Sequence, residues 1–246
     1  MFKAPILKSI LLSQFPEITF GFSLKGNDYT RSQFGFNMSF SVGDDENVVK
    51  ENRKKFFETL GFREEQICFI RQEHTDIIAT ADEAKHYGIA DAIITNKKNI
   101  ALTVIVADCV PIFIYDKTKK IIAAVHSGWR GTAKKILWKT LLKLKEEFNC
   151  NPQDIIAYIG PCISQENYEV SLDAAIQFDK KYLKEKENGK FLLDLKTANR
   201  DFLLEFGVPL SNLQISNLCS YEEIYLHSNR RDGKLSGRSI GLIGLK

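Results

Sequence analysis

Long apolar runs, paired cysteines and a dominant charge of either sign are all missing from this 246-residue chain. The longest mostly apolar stretch, 100–115, is broken by Asp108 and Pro111. It falls well short of the ~18 uninterrupted residues that a membrane span requires, so no membrane association is expected. Near the start, Lys8 and Ser9 split Ile6-Leu7 from Ile10-Leu11-Leu12 and no small-residue cleavage site follows. A secretory signal is therefore not expected. The five cysteines, Cys68, Cys109, Cys150, Cys162 and Cys219, include no CxxC pair, and reduced thiols in a cytoplasm are the expectation. Thirty-four Lys and Arg against 31 Asp and Glu leave a formal charge of +3. The lysine pairs, such as Lys97-Lys98 and Lys134-Lys135, are interleaved with acids or apolar residues, so no basic stripe for nucleic acid exists. Only 6 Pro and 15 Gly, with 44% hydrophobic and 26% charged residues, exclude disordered, collagenous and coiled-coil classes. The P-loop, the G-x-G-x-x-G fingerprint and H-E-x-x-H are absent, which removes the common nucleotide and zinc-protease signatures.

Apolar periodicity organises what is present. Val48, Val49, Asn52, Phe56, Phe57 and Leu60 fall at helical spacing and predict a helix over 45–60 closed by Gly61. Strands are predicted at 67–70, then in four β-branched runs at 92–95, 101–106, 112–115 and 121–125. A helix is predicted over 131–148, a strand at 155–159, a helix over 172–182, and a helix over 194–206 with Asp194 as N-cap and Gly207 as stop. Ile215 and 240–245 add strands, and the charged stretch 180–190 reads as a solvated helix end and loop. No Pro, Gly or Ser-rich linker interrupts this order, which makes one α+β domain with a mixed sheet core.

Four histidines are few enough to weigh singly. His74 follows the 67–70 strand and His126 closes the 121–125 strand, both at strand ends where sites commonly form. Cys109 lies between them, beside Asp108 and just before Val110-Pro111. Convergence of His74, Cys109 and His126 on one Zn²⁺ would leave a fourth position open, the catalytic pattern. The same atoms also permit a Cys109 thiolate nucleophile with His126 or His74 as base, and Cys109 also reads as plain core. Gly128-Trp129-Arg130-Gly131-Thr132 joins a strand to a helix and could hold phosphate on backbone N–H groups and a guanidinium. Arg230, Arg231 and Arg238 lie around two glycines and could form a second oxyanion loop. His86 reads as exposed, and His227 as structural.

The runs RQEHTD, ADAIITN, TVIVADCVPIFIYD, IAAVHSGWRGTA, IGPCISQENYEV, LDLKTANRDFLLEFGV and HSNRRDGKLSGR, in this order, resemble the laccase-domain, YfiH-like family. Its members were first described as polyphenol oxidases and later as purine nucleoside phosphorylases. Upstream, FGFNMSFSVGDDENVVKENRKKF, which carries Asn37 and the pair Asp44-Asp45, is similar to the family's N-terminal segment. The resemblance thus spans residues 1–246 as one domain. It implies a sandwich of mixed β-sheets flanked by helices, related to the cysteine-hydrolase domain of necrotizing-factor toxins. It also implies zinc on His74, Cys109 and His126, with copper as the alternative metal. Catalytic roles are expected for Cys109, His126 and Arg130, and substrate contacts for Asn37, Arg130, Arg230 and Arg231. The implied reaction is phosphorolysis of adenosine, inosine, guanosine and methylthioadenosine, with adenosine deamination besides, in a monomeric cytoplasmic enzyme whose partners are nucleosides and phosphate. Thr75 stands where the family usually has glycine, Asn229 where it has an aromatic, and Leu24-Lys25-Gly26-Asn27 where it has Thr-Arg-Gly-Gly. A multinuclear copper centre needs more imidazoles than the four in this chain. The competing readings are a metal-free cysteine hydrolase or amidase using Cys109 and His126, a copper-dependent polyphenol oxidase with a single ion, and a binding protein without catalysis.

Overall fold

A computed structural model describes residues 4–26, 32–187 and 189–246; Asn27 lies outside the described residues. Fifteen strands occur among the described residues: β1 (Ile6–Leu7), β2 (Ile18–Ser23), β3 (Ile67–Arg71), β4 (Ile78–Thr80), β5 (His86–Ile89), β6 (Ala92–Thr95), β7 (Ile100–Val106), β8 (Val110–Asp116), β9 (Ile121–Ser127), β10 (Ile155–Ile159), β11 (Glu169–Val170), β12 (Leu183–Glu185), β13 (Phe191–Leu193), β14 (Leu213–Ile215) and β15 (Ser239–Leu245). The α-helices are α1 (Glu46–Thr59), α2 (Trp129–Ala133), α3 (Ile136–Phe148), α4 (Leu172–Ala175), α5 (Leu195–Glu205) and α6 (Asn229–Asp232). One six-stranded sheet runs β1-β2-β15-β7-β3-β5, a second runs β14-β10-β8-β9-β6-β4, and β11-β13-β12 form a small third sheet. Parallel pairs (β3 with β5 and β7, β4 with β6, β10 with β14) mix with antiparallel ones, as an α+β fold requires.

Period-two alternation explains the layering. In the second sheet Ile93, Phe113, Tyr115, Ile122, Ala124, Ile156 and Tyr158 point toward Phe20, Phe22, Leu102 and Val104 of the first sheet. Their neighbours Ile94, Ile112, Ile114, Ala123, Val125 and Ala157 pack instead with Leu137, Leu141, Leu144, Ala198 and Leu203 of α3 and α5. Because these strands are covered on both faces, they read as unbroken apolar runs. On the outer face of the first sheet, Ala101, Ile240 and Leu242 meet Phe56 and Phe57 of α1. The result is helix, sheet, sheet, helix. The two sheets approach closely at Gly241, where a Cβ would stand 2.2 Å from Phe113 Cζ.

The capped helices follow their sequence signals: Asp45 accepts from the N–H groups of Asn47 and Val48, Asp194 accepts from Thr197, and Gly61 and Gly207 take positive φ. Three local expectations are corrected. The 131–148 helix is two helices, because Lys135 turns to φ +60°. That conformation costs about 1–2 kcal/mol and re-aims the chain so that Ile136, Leu137, Thr140, Leu141 and Leu144 are all buried. The 172–182 helix stops after Ala175, and Asp179, extended at ψ 142°, caps a new turn through Lys181 N–H. Within 180–190 lies β12, paired with β13, and Lys186 and Lys190 both reach Glu169. Gly237 to Gly241 also has the G-x-S-x-G spacing of a hydrolase elbow, yet Ser239 is buried in β15 opposite Val106. It is not the exposed strand-to-helix turn that such a nucleophile needs.

Candidate functional site

β9 is the central scaffold of the site. In its pairing with β8, Val110 faces Ser127 and Pro111 faces His126, so Cys109 emerges beside Gly128. In its pairing with β6, Ala92 faces Val125, and Asp91 continues that ladder: its carbonyl accepts from His126 N–H at 2.7 Å. The link 107–109 carries the chain from the first sheet into the second, with Asp108 at φ +86°. Cys109 therefore sits at the corner where the sheets join. His74 arrives from the loop after β3, also at positive φ (57°). It is held there by Asp91, whose carboxylate accepts from the N–H groups of Glu73, His74 and Thr75 and from the Thr75 hydroxyl. Thr75 thus adds a side-chain bond to the anchor that a glycine could not supply.

The side-chain atoms of His74, Cys109 and His126 all lie within 4.8 Å of one another, and Cys109 Sγ is 3.7 Å from His74 Nε2. Asp91 Oδ1 stands 2.7 Å from His126 Nδ1, which fixes the proton on Nδ1 and leaves Nε2 as a donor atom. Burial opposes charge on this pair, but it is outweighed: the two imidazoles lower the Cys109 thiol, and Cys109 and Asp91 raise His126. Burial also works against the Asp91 carboxylate, yet bonds from His126 and Thr75 bring it down to about 2. A thiolate with two imidazoles, one of them oriented by a buried carboxylate, is a donor set that fits zinc or copper.

Space at the cluster is defined by backbone. A Cβ on Gly128 would lie 2.7 Å from His74 Cδ2 and 2.9 Å from Cys109 Sγ. Gly128→Ala is expected to push these two side chains apart at a cost of about 1–3 kcal/mol, read as a lowered urea midpoint together with lost metal affinity. Unchanged metal affinity would show that the cluster tolerates the methyl.

A cleft of about 880 Å³ opens over the cluster, lined by Ser39, Phe40, Ser41 and Arg53 at one end and by His74, Cys109, His126, Tyr168 and Arg230 at the other. Arg230 places its guanidinium 5.1 Å from the Tyr168 ring centre, donates to Glu169 O, and its N–H is held by Asp108. The structure brings His74, Cys109, His126 and Arg230 together. Arg130 does not line the cleft; it is exposed with its guanidinium over Trp129. Arg231 spends its guanidinium on the carbonyls of Ser220, Tyr221, Glu223 and Leu226 and on Asp232. Asn37 is fully buried, donating to Ser39 O and Asp44 and accepting from Ser39 N–H and Arg238 N–H. It positions neighbours and cannot itself meet a ligand. Asp91, Arg53 and Tyr168 were not singled out from sequence, whereas Arg238 was, within the candidate oxyanion loop; Asp91 carried one signal, its position just before a buried strand.

His86 is exposed on β5 at the cleft rim. His227 is buried with Nδ1 lacking any partner among the described residues. Burial, helped by Lys25 and Arg238, drops its pKa to about 3. The unfolded chain then takes up a proton first as pH falls, so His227's contribution is complete above pH ~6.5 and shrinks by about 1.4 kcal/mol per unit down to about 3. His227→Gln is expected to lose roughly 2 kcal/mol less than the parent between pH 7 and pH 5 in urea titrations; parallel losses would contradict this.

Among the described residues no helix is long and apolar enough to cross a membrane. A family model described as multi-copper polyphenol oxidoreductase laccase matches residues 19–246. A purine nucleoside phosphorylase of Clostridium acetobutylicum is 31% identical over 226 residues, covering 87% of this chain and 89% of its own. Purine nucleoside phosphorylase YlmD of Bacillus subtilis is 31% identical over 249 residues, covering 94% and 89%. The crystal structure of the hypothetical protein YfiH of Bacillus licheniformis superposes with a TM-score of 0.91 at 30% identity, covering 99% of this chain and 97% of that one.

Proposed function

Because the chain belongs to the multi-copper polyphenol oxidoreductase laccase family, and relatives matching most of its length are named purine nucleoside phosphorylases, we propose that it cleaves purine nucleosides with inorganic phosphate. The observation that carries this reading is the His74–Cys109–His126 cluster at the floor of a cleft with four arginines, Arg53, Arg71, Arg230 and Arg238, against two carboxylates, Glu73 and Asp108. Such a field concentrates an anionic co-substrate. In the reaction a phosphate oxygen forms a bond to the anomeric carbon while the bond to the purine nitrogen breaks; the base leaves with the electron pair and takes up a proton.

His74, Cys109 and His126 would hold the metal, with zinc favoured by the thiolate and imidazole donors and copper the alternative. When bound, zinc supplies Lewis-acid polarisation of an oxygen beside it. Asp91 keeps the His126 proton on Nδ1 and the His74 loop in place. Arg230, held across the Tyr168 ring, orients the nucleoside beside the cluster. Adenosine, inosine, guanosine and methylthioadenosine are the proposed substrates, with deamination of adenosine as a second activity. The five free cysteines suit a cytoplasmic enzyme, proposed to act as a monomer.

A metal-free cysteine hydrolase is the second reading. The specific observation for it is the Cys109, His126, Asp91 arrangement, in which a base beside a thiol is oriented by a carboxylate. Chromatography of inosine and adenosine incubations, with and without phosphate, separates them. Phosphate-dependent base release that a chelator abolishes supports phosphorolysis. Nucleoside inertness together with amide hydrolysis, blocked by a thiol-alkylating reagent and unaffected by chelator, would put the hydrolase in its place.

A further inference from the structure

Of the four arginines in the cleft, Arg71 is paired with Glu73 and Arg230 lies on Tyr168. Arg53 is different. It is 8% exposed, its guanidinium is sandwiched 4.4 Å from the Phe40 ring centre and 4.9 Å from that of Phe69, and its Nε donates to Met38 O at 2.8 Å. No carboxylate among the described residues comes within ion-pair distance of it, and Glu64 acts on it only from afar. A buried guanidinium without an anion is costly to keep.

Arg238 is seated on the same residue. Its carbonyl accepts from Met38 N–H, its own N–H is fixed by Asn37, and its guanidinium donates to Ser236 O, Gly237 O and Asn229 without meeting a carboxylate. One peptide, Met38, thus carries both arginines, and the Ser39–Ser41 turn follows directly, with the two hydroxyls 2.9 Å apart so that one of them has a proton to give. A second cavity next to the cleft shares Ser41, Asn229 and Arg238, adds Lys234, and has no acidic lining.

Resting on the phosphorylase reading above, we propose that the phosphate co-substrate binds at this end of the cleft, with Arg53 and Arg238 as its cationic arms and Ser41 as a hydroxyl donor. The ligand class is a compact oxyanion, as free phosphate rather than the phosphate group of a nucleotide. β3 connects the two groups, with Phe69 under the Arg53 guanidinium and the His74 loop directly after Arg71, and both groups line one cleft. Asn37, saturated with internal bonds, is then the positioning residue that sets the Arg238 backbone and the serine turn.

Titration calorimetry of the metal-loaded protein with inorganic phosphate alone, and separately with adenosine monophosphate, tests this without requiring turnover. Arg53→Gln is expected to weaken phosphate binding about 10- to 100-fold, the loss of a charge-assisted contact. Because Arg53 is buried and its variant could misfold, Ser41→Glu at an exposed position is the second arm, and it should weaken phosphate similarly by placing a carboxylate beside the arginines. In inosine cleavage both variants should raise the KM for phosphate at least tenfold and the KM for inosine less than twofold. Unchanged phosphate affinity in Ser41→Glu, a rise confined to the inosine KM, or weakening of the nucleotide with phosphate untouched would each overturn the assignment. Phosphate binding lost in the variants of a protein that fails to cleave nucleosides would uphold the subsite and sink only the phosphorylase reading.

Discussion

Cys109→Ser is expected to strip the protein of its metal, from about one ion per chain to a small fraction, and to abolish nucleoside cleavage with it. Serine has nearly the shape of cysteine, so packing at the sheet corner should survive, but its hydroxyl stays protonated where the thiol is lowered by His126 and His74. The thiolate is the ligand form. Its loss should exceed the roughly 10- to 100-fold drop in affinity that follows removal of a group one bond further from a metal. Elemental analysis of protein purified without chelator, with turnover on the same sample, measures both. A serine variant that keeps its metal and its activity would remove Cys109 from the site.

Asp91→Asn should produce the second large effect, and of a mixed kind. The carboxylate receives His126 Nδ1 and the backbone of residues 73–75 together. An amide can accept on one oxygen only and turns its own N–H groups toward donors. About 10- to 100-fold weaker metal binding is expected, accompanied by about 1–3 kcal/mol of lost stability from donors left unsatisfied. Metal titration and urea unfolding read the two parts separately. Loss of stability with metal affinity intact would make Asp91 purely a loop anchor.

How much of this was legible in the sequence depended on whether a signal was local. Strands covered on both faces, such as β8 and β9, announce themselves as continuous apolar runs, and helices with a side-chain cap and a glycine stop, such as α5, show both ends. β2 was missed because Gly21 interrupts a short alternating run, and β4 and β5 because they are brief and half exposed. The break at Lys135 has no glycine or proline to mark it; tertiary burial of Ile136 and its neighbours decides it. At the site, chemistry-bearing residue types made His74, Cys109 and His126 stand out, and the resemblance of whole motifs joined them. The role of Asp91 becomes visible only when β6 pairs with β9, and that of Arg53 only when α1 lies over the first sheet. Arg231 and Arg230 are adjacent in sequence, yet only a three-dimensional arrangement shows one bound to carbonyls and the other facing the cleft.

Two imidazoles and one thiolate must share a single ion for this site to work. X-ray absorption at the metal edge, recorded on the protein as purified, examines that directly. One sulfur and two imidazole nitrogens in the coordination sphere, with the sulfur signal absent in Cys109→Ser, is the predicted result. A sphere built of oxygen and nitrogen alone, unchanged by that substitution, would contradict it.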